Sequence, residues 1–216
     1  MDKTKKYIPA LSFAWLTPLY DLLMRIGMQE KAFKRRLVDQ ADIQPGQRLL
    51  DLGCGTGTLT ILIKQLHPGA EVVGLDGDAK ILAIARSKAA KAGVEIVLEH
   101  GLASQLPYPD GSFDCVLTSL MIHHLTTTDK RTAMAEVYRV LRPGGEFHIA
   151  DFGPPRGVYA RLVSALIRGL ERATENLKGL LPDMLRQAGF EGVEETAYYT
   201  TVFGMLVLMC GRKPGG

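Results

Sequence analysis

The chain has 216 residues, 46% of them hydrophobic and 23% charged, and a formal net charge of +3. This length and composition predict one globular domain with a complete apolar core, and the small charge argues against nucleic acid as a partner. Its three cysteines, Cys54, Cys115 and Cys210, have no CxxC spacing, which argues against a disulfide framework or a zinc site and favours a reducing, cytoplasmic setting. No run of about 18 apolar residues is present, so we expect no membrane-spanning helix.

The N-terminal section, residues 1–46, is helical in pattern and precedes a regular alternation of strands and helices. We therefore predict a helical cap or lid over a core formed by residues 47–216. Its large aromatic residues include Tyr7, Phe13, Trp15 and Tyr20. Such side chains suit either a lid that closes on an apolar substrate or plain packing of a terminal helix, and both readings stay open. The lysines nearby allow at most weak peripheral contact with a membrane.

From residue 47 onward, short apolar runs alternate with helical patterns. The predicted strands are 48–52, 71–76, 95–99, 113–120 and 146–152. The predicted helices between them are 58–66, 79–92 and 129–141. Strands that alternate with helices imply right-handed crossovers and a parallel sheet covered on both faces.

The C-terminal part has a different pattern. Two helices are predicted at 157–174 and 176–188, followed by strands at 191–201 and 205–212. The short link at Phe203-Gly204 requires these last two strands to pair antiparallel, as a hairpin. The whole pattern predicts an α/β, doubly wound mixed sheet of seven strands with an antiparallel C-terminal hairpin and an N-terminal helical cap.

A glycine-rich loop follows the first strand. Gly53 and Gly55 allow a tight turn and close approach of a ligand to the backbone, and the next helix directs its N-terminal N–H groups to the same place. A dinucleotide fingerprint requires glycine where this chain has Thr58. Asp51 would also repel a pyrophosphate, whereas it would attract a cationic ligand. S-adenosylmethionine, which has a sulfonium and an ammonium group but no phosphate, fits this loop better than NAD.

Asp76 ends the second strand. A carboxylate at this position can accept hydrogen bonds from both hydroxyls of a ribose. The alternative is that Asp76 caps the following helix, but Asp78 is better placed for that role. We therefore predict that Asp76 binds the ribose of the cofactor.

Three segments in this order resemble a known family. Residues 50–57 (LDLGCGTG) resemble motif I of the class I S-adenosylmethionine-dependent methyltransferases, residues 106–114 (LPYPDGSFD) resemble their LPF…SFD segment, and residues 139–145 (RVLRPGG) resemble the turn before their fifth strand. The segment LTPLYDLL at residues 16–23 is similar to the N-terminus of the quinone-biosynthesis (ubiquinone/menaquinone) and related small-molecule or phospholipid methyltransferases. The resemblance implies a Rossmann-like fold.

The resemblance also implies a set of cofactor-binding residues. They are Tyr20, Asp51, Gly53, Cys54, Gly55, Asp76, Gly77, Leu102, Ala103 and Ser119. The family often has Asp, which reaches the adenine amino group, where this chain has Leu102. A leucine side chain cannot accept that hydrogen bond, so we expect its backbone or its apolar surface to hold the adenine.

Candidate catalytic residues are His123 and His124, after the fourth strand, and Asp151, at the end of the fifth. A histidine could take a proton from a phenol, enol or amine acceptor, but many methyl transfers need only proximity, and packing is the alternative role. No metal site is expected.

The sequence thus predicts methyl transfer from S-adenosylmethionine to a small, apolar or lipid-like acceptor. Two alternatives stay open at this stage: an NAD-type oxidoreductase, and a non-catalytic protein that binds S-adenosylmethionine.

Overall fold

The computed structural model describes residues 30–156 and 174–215. Its strands are β1 (Arg48–Leu52), β2 (Glu71–Asp76), β3 (Val97–His100), β4 (Phe113–Ser119), β5 (Leu141–Phe152), β6 (Glu191–Thr201) and β7 (Gly204–Arg212). Its helices are α1 (Glu30–Asp39), α2 (Thr58–Leu66), α3 (Ala79–Ala92), α4 (Thr127–Val140), α5 (Thr174–Leu177) and α6 (Leu181–Gln187). A 3-10 turn, Ile122–His124, lies between β4 and α4.

The seven strands form one sheet in the order β3-β2-β1-β4-β5-β7-β6. β1 to β5 are parallel, and β7 pairs antiparallel with both β5 and β6. This confirms the predicted α/β mixed sheet and its C-terminal hairpin. Leu50 of β1 pairs with Val73 on one side and with Val116 on the other. The chain therefore reverses its direction of winding between β1 and β4, which is where open parallel sheets bind ligands.

Helices cover both faces of the sheet. Along β1, Leu49 belongs to one buried cluster and Leu50 to the other, because successive side chains of a strand point to opposite faces. The Leu49 cluster includes residues of α1 and α2, such as Phe33 and Leu59. The Leu50 cluster includes residues of α4 and α6, such as Val137. The central strands are thus buried on both sides, as their continuous apolar runs predict.

Local signals explain where α3 begins and ends. The side chain of Asp78 accepts a hydrogen bond from the backbone N–H of Lys80, which caps the N-terminus of the helix. Gly93 ends the helix in the left-handed conformation, with φ of 65°. The prediction that Asp78 rather than Asp76 caps this helix is confirmed.

Several predicted boundaries were wrong. The single helix predicted at 176–188 is two short helices, because the chain turns at Gly179, where φ is 71°. β5 begins at Leu141 rather than residue 146, since Leu141 already pairs with Phe113 of β4. β4 ends one residue early, at Ser119, because Leu120 has φ of 56° and leaves the extended conformation.

Most of the predicted helix at 157–174 lies outside the described residues. Residues 1–29 of the predicted cap also lie outside them. In the two segments that the structure describes, no helix has both the length and the apolar character needed to cross a bilayer.

Candidate active site

A cavity of about 250 Å³ opens beyond the carboxyl ends of β1, β2 and β4. Its walls are Leu52, Gly53, Gly55, Leu75, Asp76, Gly77, Ile81, Gly101, Leu102, Ala103, Leu120, Met121, His124 and Leu125. Most of these residues are apolar, and Asp76 contributes the one carboxylate among them. A largely apolar cleft with a few polar groups is the usual form of a small-molecule site.

The glycine-rich loop folds tightly onto β2. The backbone N–H groups of Gly53 and Cys54 both donate to the carbonyl of Leu75, over 2.8 and 3.0 Å. Gly53 has φ of 71°, and a Cβ atom on it would overlap the side chain of Met121. Only glycine satisfies both conditions, because other residues rarely adopt a positive φ.

Asp76 is part of the cavity wall. One carboxylate oxygen accepts the N–H of Gly55 over 2.8 Å, and the other accepts the N–H of Asp78 over 2.9 Å. The sequence suggested that Asp76 would be free because Asp78 caps the helix. In the structure Asp76 instead accepts two backbone N–H groups. Each carboxylate oxygen has a second lone pair, so the group can still accept hydrogen bonds from a ligand.

Asp51 lies beneath the cavity rather than in its wall. Its side chain is buried and accepts a hydrogen bond of 2.6 Å from the Thr60 hydroxyl. Burial raises the pKa of this carboxyl to about 6, against the opposing effects of the Thr60 hydroxyl and the positive charge of Lys34. Thr60 supplies its hydrogen bonds, from the hydroxyl and from the backbone, and no cation lies within salt-bridge distance among the described residues.

His123, in the turn before α4, contacts Asp151 near the end of β5. His123 Nδ1 lies 2.7 Å from one oxygen of Asp151, and the backbone N–H of His123 donates to the other over 3.2 Å. Burial acts to raise the pKa of Asp151, but His123 and the N–H groups of His123 and Phe152 outweigh it, so the pKa is lowered. Two residues predicted as separate candidates are thus one buried pair.

His124 reaches the cavity wall, whereas His123 does not. The two rings lie with their centroids 4.0 Å apart. Surrounding protein atoms and the neighbouring His123 lower the pKa of His124, although its side chain remains exposed at the mouth of the cavity. The imidazole in the wall is therefore neutral near pH 7.

Leu102 projects into the open part of the cavity and is 45% exposed. Its carbonyl accepts the N–H of Gln105 over 3.0 Å, which closes a small turn. A large apolar side chain exposed at a ligand site provides a surface on which a flat ring can pack.

The structure brings six of the predicted cofactor residues into the cavity wall: Gly53, Gly55, Asp76, Gly77, Leu102 and Ala103. Asp51, Cys54 and Ser119 do not line the wall, and Tyr20 lies outside the described residues. Cys54 is buried against Gly74 of β2.

Sequence reasoning missed the apolar part of the wall: Leu52, Leu75, Ile81, Gly101, Leu120, Met121 and Leu125. Leucines at strand ends look the same in sequence whether they face a core or a cavity. One signal does mark Leu120, whose positive φ is unusual for a residue other than glycine. Backbone strain of this kind clusters at functional sites.

In the described ranges, 30–156 and 174–215, no group of three or more His, Cys, Asp or Glu side chains could hold a metal ion.

Comparison with known proteins gives consistent results. A family described as "Methyltransferase domain" matches residues 49–145. The demethylmenaquinone methyltransferase of Thermus thermophilus is 34% identical, with 94% of this chain and 100% of the relative covered. The ubiquinone/menaquinone biosynthesis C-methyltransferase of Vibrio cholerae is 30% identical, over 90% of this chain and 83% of the relative.

Among solved structures, the magnesium protoporphyrin IX methyltransferase of Synechocystis PCC 6803 with bound SAH is similar, with a TM-score of 0.70. The two chains are 23% identical, and the alignment covers 88% of this chain and 85% of the other. At this identity the similarity concerns the fold, and it agrees with the strand order described above.

Proposed function

The chain belongs to the class I S-adenosylmethionine-dependent methyltransferases, and from this premise we propose that it methylates a ring carbon of an apolar, quinol-type acceptor. The observation that carries the proposal is the largely apolar cavity at the carboxyl ends of β1, β2 and β4. Family membership removes both alternatives, the NAD-type oxidoreductase and the non-catalytic binding protein. No observation favours a second function.

The cavity wall fits the cofactor. When bound, S-adenosylmethionine supplies a methyl group on a positively charged sulfonium sulfur, while the protein supplies placement and excludes water. We assign Asp76 to the ribose hydroxyls, because it is the carboxylate in the wall and its orientation is fixed by two backbone N–H groups. Gly53 and Gly55 let the ligand approach the backbone closely.

Asp51 has a different role in this proposal. It is too buried to line the wall, so it acts by charge through the glycine loop on the cationic part of the ligand. Leu102 and Ile81 pack on the adenine, and the backbone of Ala103 meets its edge. Cys54 supports the glycine-rich loop, Gly77 and Ser119 lie at the ends of β2 and β4 beside the ligand, and the role of Tyr20 stays a prediction.

The acceptor follows from the apolar wall and from the relatives. Leu120, Met121 and Leu125 form an apolar surface beside the end of β4, and two relatives carry names that refer to quinone methylation. The carbons of an oxidised quinone ring are poor in electrons, whereas the hydroxyl oxygens of the reduced ring make its carbons nucleophilic. We therefore propose that the acceptor enters in its reduced form.

His124 is the group that we assign to the proton of the acceptor hydroxyl. It lies in the cavity wall and is neutral, so it can accept a hydrogen bond from the hydroxyl and places no positive charge beside a cationic cofactor, while its lowered pKa makes it a weak base in the ligand-free protein. The buried pair of His123 and Asp151 fixes the turn that carries His124. The carboxylate of Asp151 also stabilises the charge that appears when His124 is protonated.

The remaining proposals concern setting. The three free cysteines suit a reducing compartment, and we place the enzyme in the cytoplasm. The lid role predicted for residues 1–46 stays a prediction, because residues 1–29 lie outside the part of the chain that the structure describes. Of this section the structure describes α1, whose Phe33 and Leu37 are buried against the sheet.

The test is a methyl-transfer assay with isotopically labelled S-adenosylmethionine. The acceptors are a prenylated naphthohydroquinone without a ring methyl, the same compound oxidised, phosphatidylethanolamine vesicles and a small amine. We expect label on a ring carbon of the hydroquinone and none on the other three. Label on the phospholipid or the amine instead would overturn the proposed acceptor.

A pair of variants tests the cofactor site in the same assay. Asp76→Asn should raise the KM for S-adenosylmethionine about tenfold or more, since it weakens a hydrogen-bonded carboxylate contact. Asp78→Asn is the matched control, because asparagine caps a helix as well as aspartate does. Equal KM values for the two variants would contradict the role given to Asp76.

A further inference from the structure

α5 (Thr174–Leu177) contacts the turn that carries His124, although none of its own residues is in the cavity wall. It packs against the 3-10 turn Ile122–His124 and against β5. Leu177 of α5 belongs to the same apolar cluster as Phe152, the last residue of β5. His124, at the end of the turn, lines the cavity. The helix is thus a neighbour of the elements that carry the buried histidine–aspartate pair.

Side-chain contacts fix α5 in this position. One oxygen of Glu175 accepts a hydrogen bond of 2.6 Å from the Thr127 hydroxyl, and the other lies 2.9 Å from Lys130 Nζ. Lys130 is completely buried, so its charge requires this partner. The pKa of Glu175 falls to about 2, because these two contacts outweigh the effect of burial. An ionised, anchored Glu175 holds the next residue, Asn176, in place.

Asn176 is an exception to the rule that buried polar groups are hydrogen-bonded. Its side chain is 1% exposed, and neither Nδ2 nor Oδ1 has a hydrogen-bond partner among the residues that the structure describes. An amide left in this state destabilises a protein, because it has lost its hydrogen bonds to water and gained none. A buried group of this kind calls for an explanation, and a ligand that completes its hydrogen bonds is one.

We propose that the amide of Asn176 binds a hydroxyl group of the acceptor. An amide with both ends unpaired matches a group that donates one hydrogen bond and accepts another, as a ring hydroxyl does. Oδ1 accepts from the hydroxyl and Nδ2 donates to its oxygen. This inference rests on the proposed function, and it adds a residue that selects hydroxylated rings over rings that lack the O–H.

Acceptor affinity provides the first readout. Binding of naphthohydroquinone and of its dimethyl ether, which cannot donate a hydrogen bond, is measured without oxygen in the presence of S-adenosylhomocysteine. The wild type should bind the hydroquinone about tenfold more tightly than the ether. Asn176→Leu should bind the two within about twofold of each other and keep its affinity for S-adenosylhomocysteine.

Thermal stability provides the second readout, which separates recognition from a structural role. Leucine has a shape similar to asparagine, so Asn176→Leu should raise the melting temperature of the ligand-free protein by about 3 °C, because it removes two unpaired polar atoms. Thr201→Val is the matched control. The buried Thr201 hydroxyl donates to the Gly204 carbonyl over 2.9 Å and accepts the Phe203 N–H. Its loss should lower the melting temperature by a similar amount.

The outcomes are distinguishable. Wild type that binds S-adenosylhomocysteine but neither naphthalene compound overturns the proposed acceptor class, and this inference with it. Wild type that prefers the hydroquinone, together with an Asn176→Leu variant that keeps the preference, overturns this inference alone. An Asn176→Leu variant that melts below the wild type, as Thr201→Val does, shows an amide with structural partners and also overturns it.

Discussion

The two sides of the cavity are built from different kinds of contact. On the cofactor side, backbone N–H groups of the glycine loop donate to a strand carbonyl and to Asp76. On the acceptor side, side chains meet side chains that are distant in sequence. His123 contacts Asp151 across 28 residues, and Thr127 contacts Glu175 across 48. A site made from backbone geometry suits a constant ligand, and a site made from side chains can change with the acceptor.

Two buried carboxylates show the same contrast. Asp51 lies near the carboxyl end of β1, and Asp151 lies near the carboxyl end of β5. Both are almost completely buried. Burial raises the pKa of Asp51 to about 6, because the hydrogen bonds from Thr60 and the charge of Lys34 offset only part of the burial effect. Burial would do the same to Asp151, but a histidine and two backbone N–H groups reverse the effect. The partners of a buried carboxylate, and not only its depth, decide the direction in which its pKa moves.

The strongest way to break the cofactor side alone is Gly53→Ala. The new Cβ atom would overlap Met121, and alanine is strained at a φ of 71°. We expect a loss of about 4 kcal/mol in the free energy of unfolding and no measurable binding of S-adenosylhomocysteine by calorimetry.

Gly46→Ala is the control for this change. Gly46 also has a positive φ, 83°, but a Cβ atom there would meet nothing within 4 Å. It should lose only about 1 kcal/mol and bind S-adenosylhomocysteine normally. Binding that survives in Gly53→Ala would show that the loop tolerates a side chain.

The acceptor side is broken by Asp151→Asn. The amide cannot accept all the hydrogen bonds that the carboxylate accepts, so the turn that carries His124 loses its anchor. We expect a loss of about 3 kcal/mol in stability and a fall of about a hundredfold in kcat. S-adenosylhomocysteine affinity, measured by calorimetry, should change little.

Asp114→Asn is the matched control for Asp151→Asn. Asp114 also accepts a backbone N–H, from Arg48, and pairs with a cation, Arg142, but it lies at the start of β4 and away from the cavity. It should lose stability and keep kcat. An equal fall in kcat for both variants would mean that Asp151 acts only through stability.

A pH titration compares the two carboxylates directly. Asp51 must be ionised to attract a cationic ligand, and its pKa is about 6. Affinity for S-adenosylmethionine should therefore fall about tenfold between pH 7 and pH 5, and Asp51→Asn should remove this dependence.

The stability of the ligand-free protein should move in the opposite direction over the same pH range. A folded-state pKa raised above 3.8 contributes stability below about pH 4, and that contribution is lost as pH rises through about 6.

Asp151 contributes stability with the opposite sign. Its lowered pKa means that its contribution to stability is present above the unfolded-state pKa and is lost as pH falls through the folded-state pKa.

The test of Asp51 is the affinity measurement. An affinity for S-adenosylmethionine that is flat from pH 5 to pH 7 would remove Asp51 from the cofactor site.

The smallest effect expected is from Leu102→Asp. It restores the carboxylate that the family often has at this position, at the exposed edge of the cavity. We expect affinity for S-adenosylmethionine to rise about threefold, since an exposed hydrogen bond to the adenine amino group is worth little. Leu180→Asp, also on an exposed leucine but outside the cavity wall, should leave affinity unchanged. A loss of affinity in Leu102→Asp would show that this chain has replaced the contact with apolar packing.

The contrast between the two sides also decides what the sequence could predict. β1, β2, α2 and α3 begin and end where their local patterns predict, because buried runs, Asp78 and Gly93 mark the boundaries. The parallel pairing of β1 to β5 follows from the alternation of elements, whereas their order in the sheet was not predicted. The cofactor side is readable for the same reason, since its loop is one continuous segment.

The acceptor side could not be predicted in this way. Nothing in the sequence joins His123 to Asp151 or Thr127 to Glu175, because these contacts depend on how distant elements pack. The burial of Asp51 away from the cavity, the strain at Leu120 and the unpaired amide of Asn176 are also products of tertiary packing. Sequence identified the residue types at this side of the site, and the fold decided their partners.

The position of β7 has a consequence for synthesis of the chain. β7 follows every other strand in sequence, yet it lies between β5 and β6 and hydrogen-bonds to both. Until residues 204–212 leave the ribosome, β5 is an unprotected sheet edge and β6 has no neighbour. Such nascent edges are prone to mispairing and aggregation. A chain that stalls shortly before β7 should therefore depend on chaperones far more than one that stalls after it.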